Sequence, residues 1–596
     1  MLQYLTKFLY LTRGHYRSLI VTLLAFVLIS GLEILGTGII GPFIAIATHP
    51  EFIASNRWLN LAYITLNFSS ERQFLLGLGA LAIATFYIKA FLSFQAQKSV
   101  FQFGYNLKRD LSCKLMQAYL AAPYSFHLNI NSANLIQDII STTDNVCLGV
   151  VMPLLTSISN LLVTLALTIL LIQTDAFALI LIGMLLLAML VLSQAMKHRL
   201  VRWGKEGWQA AGEMIRILNH GLGGLKETRV IGCEAYFQQQ MEEQSAKFAT
   251  NLTLSQSYGN LPRYAIEALM LTFLVGFTLL FVTLNRGDRD LGAVLGIFGL
   301  AAIRLLPASG NLVSGLNVMR ANSFAVDKLY FDLQQLEREV PLPIANTPAQ
   351  AGGKMATAQR EQMSFTREIA LEGINFQYSQ HPRLVLEDIS LTIAKGQSIG
   401  IIGKSGSGKT TLVDVILGLF LPQSGDIKVD GRSVYRDLRA WQNILGYVPQ
   451  SIFLTDDTLE RNIAFGVADG SIDRLRLQQA IEMAQLQDVV ENLPNGIHTM
   501  VGERGVLLSG GQRQRVGIAR VLYHQREVLV FDEATAALDN ETEQLVTAAT
   551  KALSRSKTII IIAHRLSTIE HCDCIYQIDR GRILKSGSYQ EVVLGQ

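Results

Sequence analysis

Residues Gly403 to Thr410 read GKSGSGKT, the spacing G-x-x-x-x-G-K-T, between a strand-like run Ser398 to Ile402 and a helical run Thr411 to Phe420. In this pattern the glycines let backbone N–H groups wrap phosphates, the lysine reaches the terminal phosphates and the last hydroxyl ligates magnesium. The stretch Gly403, Lys404, Ser405, Gly406, Ser407, Gly408, Lys409, Thr410 and Thr411 is therefore expected to hold a nucleoside triphosphate, with Mg2+ on Thr410. A Gly/Ser-rich loop without a ligand would not need a strand before it and a helix after it.

Two further segments belong with this loop. Val528 to Phe531 is a buried-strand run that ends in Asp532 and Glu533, about 120 residues downstream. A carboxylate at such a strand end suits the magnesium, and the next one suits orienting or deprotonating an attacking water. Leu508 to Gln512 reads LSGGQ ahead of the helical Arg513 to Leu522. Ser509, Gly510, Gly511 and Gln512 thus open a helix, where free N–H groups and the positive dipole end favour an anion. One phosphate loop already serves this domain, so the second cradle is expected to serve a nucleotide held by another copy.

Outward from these motifs, short β-rich runs alternate with helical ones, as in an α/β domain. Before them, from about Arg338 to Glu368, Pro341, Pro343, Pro348, Gly352 and Gly353 break every periodicity and read as a linker. Earlier still the chain changes character. Of its 596 residues 17% are charged, where roughly 25% is usual for soluble domains. Residues 1–320 carry 23 basic and 16 acidic side chains against 28 and 32 in the rest, so the first half is net +7 and apolar, the second net −4 and ordinary. No basic block or tail accompanies the overall +3, which excludes nucleic acid as the expected partner.

Six apolar runs of membrane-spanning length lie in the first half: Leu19 to Ala47, Phe74 to Phe94, Val146 to Ile172, Ala176 to Ala195, Tyr264 to Leu284 and Leu291 to Leu316. The first is too long and Gly-rich for a signal peptide. Basic residues concentrate before the first run and in the segments 96–145 and 196–261, which places both termini and these segments in the cytoplasm. The two segments have 50 and 66 residues, too many for turns, and are expected to carry membrane helices into the cytoplasm and back, with tips near Tyr124 to Ser132 and Leu225 to Phe237. Glu33, Lys89, Glu267 and Arg304 fall inside the apolar runs and Arg263 at an edge. Each costs about 2.5 to 3.5 kcal/mol facing lipid at mid-bilayer, so they are expected inside the bundle or a wet cavity. Mutual pairing accounts for the acids as well as a ligand does, but three cations outnumber two acids. The five cysteines show no metal-type spacing; Cys572 and Cys574, either side of Asp573, read as free thiols rather than a redox or metal dyad.

The second half resembles the nucleotide-binding domain of ATP-binding cassette (ABC) transporters over its whole length. The resemblance implies that Tyr378 stacks on adenine, Gln450 senses magnesium and the membrane domain, Asp539 is the D-loop residue and His564 the switch histidine near the γ-phosphate. It implies Glu533 as catalytic base, a magnesium site of Thr410, Gln450 and Asp532, and, through the exporter-like VGERG at Val501 to Gly505, a contact of Glu503 with the coupling loops. Six helices before one such domain resemble exporter half-transporters. The expected fold is a six-helix membrane domain with long cytoplasmic extensions (1–325), a linker (326–368) and an α/β P-loop domain (369–596), with ATP and Mg2+ as cofactors. A single phosphate loop and a single LSGGQ imply two chains for two ATP sites, as a homodimer or with a related chain.

The membrane half resembles bacterial lipid-linked oligosaccharide flippases and exporters of envelope polysaccharide or glycolipid precursors, in Ser30-Gly31-Leu32-Glu33, Gly41-Pro42-Phe43-Ile44, Pro262-Arg263 with Glu267, and Arg304-Leu305-Leu306-Pro307. That implies a multi-pass protein of the bacterial inner membrane. Lys89, Arg263 and Arg304 suit a diphosphate head group, because guanidinium forks bind two oxygens at once. ATP-driven flipping of a polyprenyl-diphosphate-linked saccharide or related glycolipid is the leading expectation. A multidrug, lipid or peptide exporter is the alternative, the peptide branch disfavoured because no protease domain precedes the first helix. A nontransporting regulatory ATPase comes last.

Overall fold

The computed structural model describes the chain except residues 1, 49–50, 52, 54–56, 66–67, 69, 173–175, 284–290, 340–362, 379–381, 534–539, 564 and 596, and except some side chains within helices, Arg304 among them. It divides into a helical unit, chiefly residues 1–344, and an α/β unit, chiefly 345–596.

All six apolar runs lie in helices as far as they are described. After α1 (Leu2–Leu11) come α2 (Tyr16–Thr48), α3 (Glu71–Ala121), α4 (Met152–Ile172), α5 (Ala176–Gly223), α6 (Glu234–Thr283) and α7 (Leu291–Ala321). Among the described residues, Tyr16–Ile40, Glu71–Ala121 and Ser132–Ile169 are long and apolar enough to cross a membrane. Three helices run far past that length. With 51 residues, α3 is about 76 Å long at 1.5 Å per residue, against about 30 Å of hydrocarbon. Ser70 starts it, accepting the Gln73 N–H at 3.3 Å, with Glu71 in the first turn favouring the dipole. Its early apolar residues Leu76, Ile83 and Phe91 are exposed, as lipid permits; its later Phe103, Leu107, Leu111 and Leu115 repeat every four residues and are buried. The segments 96–145 and 196–261 are thus continuations of membrane helices, with short helices Tyr124–Asn129 and Leu225–Ile231 at the expected tips.

Helix α8 (Ser323–Glu339) packs Val326, Leu329, Leu333 and Leu336 into the same core as α3. It therefore occupies the first part of the 326–368 stretch read as linker, because its apolar stripe and the ion pairs Lys7–Asp327, Lys114–Glu337 and Lys328–Asp138 tie it to the helical unit. The approach to α4 contains two π-helical turns, Asp138–Thr142 and Cys147–Val151.

In the α/β unit, β1 (Glu368–Phe376), β2 (Leu386–Ala394), β4 (Ser424–Val429) and β5 (Arg432–Ser433) form an antiparallel sheet. The second sheet has the order β10-β9-β3-β8-β7-β6, from β3 (Ser398–Ile402), β6 (Leu445–Val448), β7 (Val528–Asp532), β8 (Thr558–Ile562), β9 (Cys574–Asp579) and β10 (Arg582–Gly587). All its neighbours pair parallel except β9 with β10. Strands β7 and β8 are buried on both faces, so they read as unbroken apolar runs, with Val528 and Val530 in one core and Leu529 and Phe531 in the other. Helix α9 (Lys409–Ile416) contributes Leu412, Val413, Val415 and Ile416 to the first core, and α10 (Gly510–Tyr523) Val516, Ile518 and Ala519 to the second. The phosphate loop, Gln450 and the Asp532–Glu533 pair all follow carboxyl ends of parallel strands, where open α/β sheets bind ligands.

Candidate functional site

The loop between β3 and α9 turns on Gly406 (φ 79°) and Gly408 (φ 103°), left-handed conformations that side chains disfavour. Lys409 folds back beneath it, its Nζ donating to the Gly403 carbonyl at 2.8 Å and the Lys404 carbonyl at 3.1 Å, and is buried. The Ser407 N–H donates to Lys404 O at 3.1 Å, and Gly581 N–H to Ser407 O at 2.9 Å. The result is a ring of backbone closed by an ammonium group. Lys404, Ser405, Gly406 and Thr410 are exposed, and the Ser407 hydroxyl is buried without a partner among the described residues.

The strand ends bring the carboxylates together with the glutamine. Val448 pairs with Phe531 and Asp532 with Ile562, so β6, β7 and β8 end side by side. Glu533 N–H donates to Ile562 O at 3.0 Å, and Glu533 itself sits at φ 50°, a strained conformation for a side-chain-bearing residue. Gln450 Nε2 donates to Glu533 Oε2 at 3.0 Å, which leaves the Gln450 amide oxygen and the buried Asp532 carboxylate as hard oxygen donors. With the exposed Thr410 hydroxyl, that donor set is the kind Mg2+ takes.

Sequence reasoning missed three residues here. Tyr447 donates its hydroxyl to Asp532 Oδ2 at 3.2 Å; burial, with Asp532's charge, pushes the phenol pKa up. Asp414 on α9 is pushed up to about 6 by burial and by the charge of Asp532. Gln514 on α10 donates to the Gln450 carbonyl at 2.7 Å and so fixes the backbone of the glutamine loop. Each depends on strand or helix pairings remote in sequence; only the polar Gln514 on an otherwise buried helix face offered a local signal.

Tyr378 packs edge-on against Phe376 and Phe420, and its hydroxyl lies 3.1 Å from Thr411 Oγ1, one residue beyond the phosphate loop. At α10, Ser509 Oγ accepts from Gln512 N–H at 3.2 Å while Gln512 Oε1 accepts from Ser509 N–H at 2.8 Å, a reciprocal capping box. It uses the third helical N–H and leaves those of Gly510 and Gly511 at the helix start. Glu503 is exposed on a one-turn helix, Glu503–Gly505. Asp539 and His564 lie outside the described residues.

In the helical unit, Lys89 on α3 forms an ion pair with the buried Glu33 on α2. This changes the reading of Lys89 as a cation kept for an anionic ligand, because a carboxylate already compensates it. Arg263 and Glu267 are exposed on α6, and neither has an ion-pair partner among the described residues. Arg263 lies along Gly310 of α7, where an added Cβ would stand 3.2 Å from its Cγ. The side chain of Arg304 lies outside the described residues. Near the carboxyl end, Asp573 accepts from the Ser398 N–H at 2.7 Å and hydroxyl at 2.8 Å, tying β9 to β3, and burial pushes the Cys572 thiol up to about 12.

Comparison with known proteins agrees with this geometry. The profile described as "ABC transporter" matches residues 386–536, the stretch from β2 past Glu533. An "ATP-dependent lipid A-core flippase" of Ralstonia nicotianae is 30% identical over 81% of this chain and 79% of its own length. One of Pseudomonas savastanoi pv. phaseolicola is 29% identical over 98% and 92%. The solved bacterial Atm1-family ABC exporter with ATP bound has the same fold, with a TM-score of 0.73 at 21% identity over 98% of this chain and 96% of its own. A nucleotide loop, an LSGGQ helix start and apolar helices in one chain, matched along most of their length by such relatives, have one explanation: the chain belongs to the ABC transporter family, as an exporter with its membrane domain fused to an ATP-hydrolysing cassette.

Proposed function

We propose that this ATP-driven exporter flips a lipid carrying a phosphorylated saccharide head, a polyprenyl-diphosphate-linked oligosaccharide or related glycolipid, from the cytoplasmic leaflet of a bacterial inner membrane. It works as a dimer of two copies, each lending its Ser509–Gln512 helix start to the nucleotide on the other's Gly403–Thr411 loop. Tyr378 supplies an aromatic face for the base. Thr410, Gln450 and Asp532 would hold Mg2+, which would supply charge neutralisation on the phosphates. Glu533 orients and deprotonates the attacking water, with Asp539 and His564 completing the two-copy site.

The observation that carries the choice of cargo is Arg263, a guanidinium at the edge of a membrane-spanning run with no ion-pair partner among the described residues. Relatives named for flipping a glycolipid support the same class. The test is a flipping assay in proteoliposomes with a fluorescent polyprenyl-diphosphate saccharide and a matched glycolipid lacking phosphate. Arg263→Ala should slow the first about tenfold or more and leave ATP binding intact. Equal transport of the phosphate-free lipid by the unaltered protein would overturn the anionic cargo.

A further inference from the structure

A cavity of about 560 Å3 lies within the helical unit, between the approach to α4 and helices α5, α6 and α7. That is the size range of small-ligand sites. Its walls include Ser141, Asn145, Trp203, Trp208, Ser255 and Gln256. Ser141 belongs to the π-helical turn Asp138–Thr142, a departure from α-geometry that is common at functional sites.

The wall mixes apolar and polar groups. Its one acid, Asp144, is compensated by Lys108 at 2.7 Å. Some of its amides are occupied: Asn260 accepts from Ser314 at 2.9 Å and Asn317 donates to Gly259 O at 3.0 Å, which braces α6 against α7. Others are open. Among the described residues no hydrogen bond engages the side chains of Ser141, Asn145, Ser255 or Gln256, and the buried Trp208 Nε1–H has no acceptor. Both indoles are held in place, the buried Trp203 by Tyr258 at 5.3 Å and Trp208 by Phe324 at 5.5 Å between ring centroids, with the Nζ of Lys328, itself paired with Asp138 and Asp332, 5.7 Å from the Trp208 centroid.

Fixed indoles offer apolar surface with a polar edge, and amides beside them offer both donors and acceptors. A pyranose matches both: C–H groups on its faces, hydroxyls around its rim. A purely apolar guest would leave the amides unpaired at a cost, and a charged guest would meet no uncompensated charge. We propose that this cavity binds the saccharide portion of the cargo on its way to translocation; the proposal rests on the glycolipid reading above and adds where the sugar is recognised.

The test uses the full-length protein in nanodiscs and two radiolabelled probes, farnesyl diphosphate bearing an N-acetylglucosamine disaccharide and farnesyl diphosphate alone. The unaltered protein should bind the first at least about tenfold more tightly. Asn145→Ala combined with Gln256→Ala, and separately Ser255→Trp to fill the space, should each erase that margin while the Kd for farnesyl diphosphate and the basal ATPase rate stay unchanged. If both variants keep the margin, the cavity is not the sugar site and the glycolipid reading stands. If the unaltered protein shows no margin, the saccharide cargo fails and this proposal with it.

Discussion

Replacing Glu533 by Gln separates the chemistry of the cassette from its architecture. The carboxylate accepts a hydrogen bond from Gln450 Nε2 at 3.0 Å. A glutamine is isosteric and keeps an acceptor there, so the bond persists but loses its charge assistance, roughly half its strength. On a partly exposed pair that is about 1 kcal/mol at most, a fivefold effect on positioning. Loss of the base proposed at Glu533 is larger: general-base catalysis is worth roughly 10²–10⁴-fold, or about 3 to 5.5 kcal/mol. The φ of 50° is equally strained for either residue and drops out of the comparison. Glu533→Gln should therefore reduce ATP hydrolysis at least 100-fold, leave the ATP Kd within about fivefold and stop cargo flipping, measured by phosphate release, fluorescent-nucleotide binding and the proteoliposome assay. Gln450→Ala removes the positioning bond and the proposed magnesium oxygen but not the proposed base, and should raise the Mg2+ requirement while costing less in hydrolysis. Flipping that continues at the normal rate in Glu533→Gln would refute a pump driven by hydrolysis at this residue.

Two more outcomes follow from single contacts. Lys89→Ala should lower detergent-phase thermal stability by up to about 3 to 5 kcal/mol by taking the compensating cation from the buried Glu33, whereas Lys89→Met with Glu33→Leu should be neutral or stabilising and keep flipping activity; lost flipping in that stable double variant would restore Lys89 to the cargo site. Asp430 accepts from Thr366 N–H and hydroxyl and from the Arg367 and Glu368 N–H groups. Its slight burial works against ionisation, but these bonds outweigh it and hold its pKa well below the usual carboxylate range. A depressed pKa contributes stability above about pH 4 that is lost as pH falls toward the folded value, so protection of the β1 amides, relative to their intrinsic exchange rate at each pH, should fall below pH 4 in the unaltered protein and be low with little such dependence in Asp430→Asn.

The elements legible in the sequence are those that a local rule enforces. Lipid demands long apolar helices, so all six runs were readable, and the length of the segments between them announced helices that leave the membrane. The G-x-x-x-x-G-K-T spacing is local too, and Lys409 sits beneath its loop as the motif requires. Helix α8 was partly lost in the linker because its apolar stripe, Val326, Leu329, Leu333 and Leu336, has meaning only once α3 is beside it. Tyr447 and Asp414 were invisible for the same reason: each meets Asp532 from a different element, and no spacing along the chain encodes that convergence.

The membrane charges show where counting stops being an argument. Three cations against two acids leaves an excess of one, but the count does not say which cation is spare. Geometry removes one of them: Lys89 on α3 is held by a buried carboxylate on α2, and the cost of breaking either side of that pair makes it more than incidental. Arg263 and Glu267 are one helical turn apart on α6, a spacing at which ion pairs form readily, yet no ion pair joins them and both are exposed. Arg263, exposed and without an ion-pair partner among the described residues, is therefore the cation on which the proposed cargo reading rests, rather than the number of cations.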